Sequence, residues 1–190
     1  NQGQTEAAWQ RAEQALEQFP EDLNLLYTRA MIAEKRGDLA QLEQDLRFII
    51  EREPDNAMAI NALGYTLADR TTRYDEALAL IQQAYQINPD DAAILDSLGW
   101  VNYRMGNLEE AETQLRKAYQ RFADHEIAAH LLRVEDMQGP AAIEGHVVRD
   151  IDECVDGAKS NSFQALLHPF GRRAIFHAAD QAKRKKRREM

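Results

Sequence analysis

Five histidines, one cysteine and 32 Asp/Glu are the side chains of this 190-residue chain that could do chemistry. The densest grouping is His125-Glu126-Ile127-Ala128-Ala129-His130. A zinc-binding protease helix needs its two imidazoles at i and i+4, so that both share one face with the Glu as general base. Here the histidines are five apart, and at about 100° per residue they diverge by about 140° around a helix. His146, His168 and His177 have no ligand pattern beside them and read as surface residues. Cys154 can form no internal disulfide and no cysteine cluster for zinc, and it reads as a buried, inert thiol on an apolar helix face. Glu109, Glu110 and Glu112 open a helix, where carboxylates suit the positive end of the dipole. No Ser/His/Asp order, phosphate-cradling glycine loop or dinucleotide fingerprint is present. The sequence therefore points to no catalytic residue, no metal site and no cofactor, and the expected activity is binding rather than catalysis.

Binding needs a surface, and the elements that would build one repeat along the chain. Leu63-Gly64-Tyr65 returns as Leu98-Gly99-Trp100, Tyr74-Asp75-Glu76-Ala77 as Leu108-Glu109-Glu110-Ala111, and Ala84-Tyr85 as Ala118-Tyr119. The glycines are 35 apart and the alanines 34, and a fixed period of this length marks a repeat architecture. The first half of each unit carries apolar residues at helical spacing (Ile60, Leu63, Leu67), with Gly64 where a neighbouring helix must come close. The second half puts Ala77, Ile81 and Ala84 on one face and closes on Asn88-Pro89, because proline cannot continue a helix. Two helices of about 14 residues cannot bury both apolar faces alone, whereas stacked copies can.

This pattern of large apolar residue, Leu-Gly, Ala, aromatic, Ala and Pro resembles the tetratricopeptide repeat. The resemblance implies an all-α fold, a right-handed superhelical solenoid of antiparallel helix pairs. It covers residues 1–132: a half repeat at 1–20, repeats at 21–54, 55–89 and 90–123, and the start of another at 124–132. Arg29 stands where the other copies have leucine, so the 21–54 unit is degenerate. The extra residue of the 55–89 unit is expected in the helix–helix loop 69–73. Because the chain starts within a repeat, it reads as a fragment of a longer solenoid. An exposed end of that kind invites homo-oligomer formation through the solenoid ends.

After Leu132 the repeat is no longer legible. Residues 133–190 form an atypical C-terminal extension, with Ile143, Val147, Val148, Ile151 and Val155 compatible with one helical face. Three readings stand for it: a helical cap, a disordered extension, or a segment foreign to the family. Lys183–Arg188 is a run of six basic residues with no aromatic side chain among them.

In stacked hairpins the first helices line the concave side. By helical spacing the side chains left for that groove are Tyr27 and Met31, then Asn61 and Tyr65, then Asp96, Trp100, Tyr103 and Arg104. Aromatics and arginine are the types that dominate binding energy, and Trp100 is the expected anchor. The competing reading makes Tyr65 and Trp100 packing residues. Residues 1–132 carry 12 Lys/Arg against 23 Asp/Glu. That acidity argues against the alternative of an RNA-binding helical repeat, so no nucleic-acid partner is expected. No run of about 18 apolar residues exists, so no transmembrane segment is expected.

Residues 88–101, NPDDAAILDSLGWV, together with Tyr103-Arg104-Met105-Gly106 and 125–131, resemble more closely the C-terminal repeats of tetratricopeptide lipoproteins of Gram-negative bacteria. That resemblance implies a protein anchored in the outer membrane and facing the periplasm. Its partner would be a protein or peptide, with a carboxyl-terminal processing protease as the candidate. A scaffold for envelope assembly machinery is the alternative.

Overall fold

The computed structural model describes residues 2–138. The chain divides into two compact units, Asn1–Val134 and Glu135–Met190. Of the second unit only residues 135–138, the end of α8, are described. Cys154, the 143–155 face, the basic run 183–188 and the three later histidines lie outside the described residues.

Eight helices make up the described residues, with no strand among them: α1 (Gln2–Gln18), α2 (Leu23–Arg36), α3 (Leu39–Arg52), α4 (Ala57–Arg70), α5 (Tyr74–Ile87), α6 (Ala92–Met105), α7 (Leu108–Arg121) and α8 (His125–Gln138). Every helix from α2 onward has 14 residues. The α2–α3 and α6–α7 connections leave two residues between helices, and the α4–α5 connection leaves three, 71–73. Within the first unit α2 pairs with α3, α4 with α5 and α6 with α7, while α3 packs on α4 and both α4 and α5 pack on α6. This is a solenoid of helix pairs.

The first helices begin where a short polar side chain can satisfy free backbone donors. Asp22 accepts from the amides of Asn24 and Leu25, Asn56 from Ala59, Asp91 from Ala93 and Ile94, and Asp124 from Glu126. Two hairpin turns need a left-handed residue, and glycine supplies it: Gly37 has φ +76° and Gly106 φ +84°. Gly64 and Gly99 serve closeness instead. A Cβ on Gly64 would lie 2.6 Å from Ile81 Cγ1 and 3.1 Å from the Ala77 carbonyl oxygen. One on Gly99 would lie 2.9 Å from Leu115 Cδ2 and 3.1 Å from the Ala111 carbonyl oxygen. The alanines that recur in α5 and α7 (Ala77, Ala84, Ala111, Ala118) are fully buried, so each second helix lies close against its neighbours.

Arg29 has a structural explanation. Its guanidinium donates to both oxygens of Asp45 on α3, at 2.8 and 2.7 Å, and to Glu13 on α1 at 2.7 Å. α1 is held further by Arg36, whose guanidinium lies 4.1 Å from the centroid of the Trp9 ring. Its outward side chains, among them Gln10, Arg11, Gln14 and Glu17, are exposed and polar. Across the repeats, Glu43 on α3 accepts from Arg47 and Arg73, and Glu76 on α5 accepts from the same two arginines.

Candidate partner-binding groove

The wall of the groove is set by helix register. The fifth residues of α2, α4 and α6 are Tyr27, Asn61 and Asp96, and the ninth residues of α2, α4, α6 and α8 are Met31, Tyr65, Trp100 and Arg133. Positions four apart share a helix face, so these two rows run side by side along the first helices. The Tyr65 hydroxyl donates to the Glu126 carboxylate at 3.3 Å. Tyr65 stands on α4 and Glu126 on α8, with α6 between them in the stack. Side chains two helices apart can meet only where the first helices curve toward one another, and that side is the concave one.

Trp100 sits at the centre of this wall and is 3% exposed. One neighbour is the His130 ring, stacked at 4.3 Å between centroids, and another is the Tyr103 ring, stacked at 5.2 Å. The guanidiniums of Arg133 and Arg104 lie 5.2 and 5.8 Å from the Trp100 ring centroid. Asp96, 7% exposed, accepts from His130 Nδ1–H at 2.8 and 3.0 Å, and the carboxylate fixes the tautomer by requiring the proton on Nδ1. His130 itself is 6% exposed. The sequence placed Asp96 and Trp100 as open groove side chains, whereas the structure buries both. Trp100 is buried because its ring is flanked by two rings, one from its own helix and one from α8. Asp96 is buried because the imidazole that pairs with it comes from the next first helix.

The other expected groove residues are partly open. Tyr27, Met31, Asn61, Tyr65, Tyr103 and Arg104 all have intermediate exposure. Burial raises the phenol pKa of Tyr65 above its ordinary value, with the Glu126, Asp69 and Asp96 charges adding to the shift, so this hydroxyl stays a donor. Burial raises that of Tyr27 as well, with Glu34 contributing. Arg104 is already engaged: it donates to the Asp69 carbonyl oxygen at 2.8 Å and to the Tyr74 hydroxyl at 3.0 Å, with the Asp69 carboxylate 3.7 Å away. Asn61 Oδ1 and Trp100 Nε1 are buried without a hydrogen-bond partner among the described residues.

Sequence reasoning missed His130, Glu126 and Arg133. The signal for His130 was its distance from Asp96, 34 residues, one repeat length. For Arg133 it was its place one repeat after Trp100, hidden because the spacing from α6 to α8 is 33 rather than 34 or 35. The buried Asp–His pair looks like two parts of a proton relay. Among the described residues, however, no hydroxyl or thiol is bonded to the His130 ring; Ser97, the nearest hydroxyl in sequence to Asp96, donates to the Ala93 carbonyl. No cluster of three or more His, Cys, Asp or Glu that could hold a metal occurs among the described residues. None of the described helices is long and apolar enough to cross a membrane.

Stacked pairs of 14-residue helices, closed on small residues, have the fold of tetratricopeptide repeats. The family model of that repeat matches residues 55–124, which hold α4 to α7. The chain is similar to the TPR repeat-containing protein PA4667 of Pseudomonas aeruginosa, 69% identical over 131 residues, which is 69% of this chain and 22% of that protein. It is also similar to Bacteriophage adsorption protein A of Escherichia coli K12, 30% identical over 93 residues, 49% of this chain and 9% of that protein. The chain thus spans less than a quarter of the length of either curated relative. Among solved structures, TTC0263, a thermophilic TPR protein of Thermus thermophilus, superposes with a TM-score of 0.73, covering 86% of this chain and 88% of its own. At 22% identity that likeness speaks to fold alone, and the fold is the all-α tetratricopeptide superhelix.

Proposed function

We propose that this chain is a non-enzymatic scaffold that holds a protein or peptide partner in the groove of its first helices. The observation that carries the reading is the convergence of Tyr103 and Arg133 on a Trp100 that is already locked in place, with Tyr65 beside the His130 ring that stacks on it. Aromatics lose little conformational freedom on binding, and aromatics and arginines supply most of the energy at protein interfaces. Trp100 acts here as the post on which the contact residues are mounted, rather than as the contact itself.

The finer reading is an adaptor for a carboxyl-terminal processing protease, held at the outer membrane and facing the periplasm in the full-length protein. Its support is the resemblance of residues 88–106 and 125–131 to the repeats of Gram-negative lipoproteins, and the 69% identity to a protein of Pseudomonas aeruginosa, a Gram-negative bacterium. The test is capture from a periplasmic extract by the immobilised chain, in parallel with a Tyr65→Ala/Tyr103→Ala double variant, with bound proteins identified by mass spectrometry. The protease should be enriched on the wild type and lost from the variant. Equal capture by both would exclude the groove, and capture without the protease would exclude the adaptor role.

A further inference from the structure

We propose that Arg133 sets the chemistry of the partner: the groove takes an extended, largely apolar segment of a protein that carries an internal Asp or Glu, and the carboxylate pairs with this guanidinium. The proposal rests on the groove being the partner site. Along the row of ninth residues the character runs from apolar to cationic, Met31, Tyr65, Trp100, Arg133. Met58, on the same helix as Tyr65, adds a methionine that is 57% exposed.

Two arginines flank Trp100, and only one is available. Arg104 is tied to its own repeat, donating to the Asp69 carbonyl and the Tyr74 hydroxyl with the Asp69 carboxylate 3.7 Å away. Arg133 is exposed, its guanidinium lies 5.2 Å from the Trp100 ring centroid, and it makes no side-chain hydrogen bond or ion pair among the described residues. A guanidinium resting on an aromatic face keeps its fork of donors in a fixed plane, the arrangement that matches a carboxylate with two parallel hydrogen bonds. The ring beneath it is itself fixed by His130 and Tyr103, so little freedom is lost when the pair forms.

The acidic side chains of this wall each have a partner of their own. Asp96 is held by His130, Glu126 accepts from Tyr65, and Asp69 faces Arg104. The residues that build the repeats carry 23 Asp/Glu against 12 Lys/Arg. Their long-range field repels a polyanion, so the groove suits one carboxylate among apolar side chains rather than an acidic tract.

The test is selection from a phage-displayed library of random dodecapeptides on the full chain as wild type, Arg133→Gln and Arg133→Glu. The wild-type pool should converge on apolar peptides with Asp or Glu at one position. The Arg133→Gln pool should lose that position, and the Arg133→Glu pool should replace it with Lys or Arg. In a synthetic copy of a wild-type winner, changing the selected Glu to Gln should weaken binding about tenfold on wild type and less than about twofold on Arg133→Gln. The peptide substitution tests the claim even if a protein variant folds poorly. Convergence without an acidic position, or an acidic position retained on Arg133→Gln, would overturn the role of Arg133 and leave the groove standing. No convergence on wild type would overturn both.

Discussion

The hairpins α2–α3 and α4–α5 meet the same packing problem with opposite chemistry. The seventh residues of α4 and α5 are Leu63, in the core cluster, and Leu80, packed against it, and beside them Gly64 admits Ile81 and the Ala77 carbonyl. The seventh residues of α2 and α3 are Arg29 and Asp45, joined by two hydrogen bonds, with Asp45 only 2% exposed. An apolar pair holds its place by exclusion of water and tolerates loss of a few atoms. A buried ion pair offsets its own desolvation only while both members are present. The degenerate repeat is therefore no weaker in design, but it fails in a different way, and its arginine also ties α1 to the stack through Glu13.

The comparison extends to the α6–α8 end, where the core residue is an aromatic rather than an aliphatic or an ion pair. Trp100→Ala should give the largest effect of any single change, a loss of about 3–5 kcal/mol in chemical denaturation, as for other buried aromatics. Binding should fall with it, because Tyr103 and Arg133 lose the ring they rest on. A variant as stable as wild type but unable to bind would show instead that Trp100 touches the partner directly.

Next in size is Arg29→Ala, expected to cost about 3 kcal/mol because it strands the Asp45 carboxylate with Gln41 as its only other donor among the described residues. The double change Arg29→Leu/Asp45→Leu, which copies the α4–α5 solution, should recover most of that loss. If the double variant is no better than the single one, the ion pair is not interchangeable with the leucine pair and the comparison fails.

Gly99→Ala should cost about 1–3 kcal/mol, since the added carbon would press on the Ala111 carbonyl, which belongs to helix backbone and cannot rotate away. A melting temperature within a degree of wild type would show that the helices can separate freely at this point.

The smallest expected effect is on pH dependence. Hydrogen bonds from Arg73 first, and from Arg47, hold the Glu43 carboxyl below its ordinary value of 4.5, and Arg47 with Arg73 does the same for Glu76. Carboxyls depressed by folding add stability above their unfolded pKa, and that stability is lost as pH falls through the folded value. The unfolding free energy of wild type from urea titrations should therefore fall below about pH 4.5 more than that of Arg73→Gln, by less than about 1 kcal/mol because these groups are partly solvated. Parallel curves for the two proteins would remove the clasp between α3 and α5 from the account of stability.

Much of this was legible in the chain. Period, helix pairing, the close-packing role of Gly64 and Gly99, and the stop at Asn88-Pro89 follow from steric facts that act within a few residues or recur at each repeat, so a linear string displays them. Polar pairs were not legible. Arg29 looked like a flaw in the motif because its partner stands 16 residues away on another helix, and Asp96 looked like an open groove carboxylate because its partner belongs to the next repeat.

The sequence by itself determined the all-helical solenoid, since 14-residue amphipathic segments with glycine and proline stops at a fixed interval have no other way to bury their faces. Only the tertiary structure decided which groove side chains are wall and which are surface. That choice depends on how far the first helices curve toward one another. The curvature brings Tyr65 to Glu126 and His130 to Asp96, seals Trp100 between rings, and leaves Arg133 facing outward with its donors unused among the described residues.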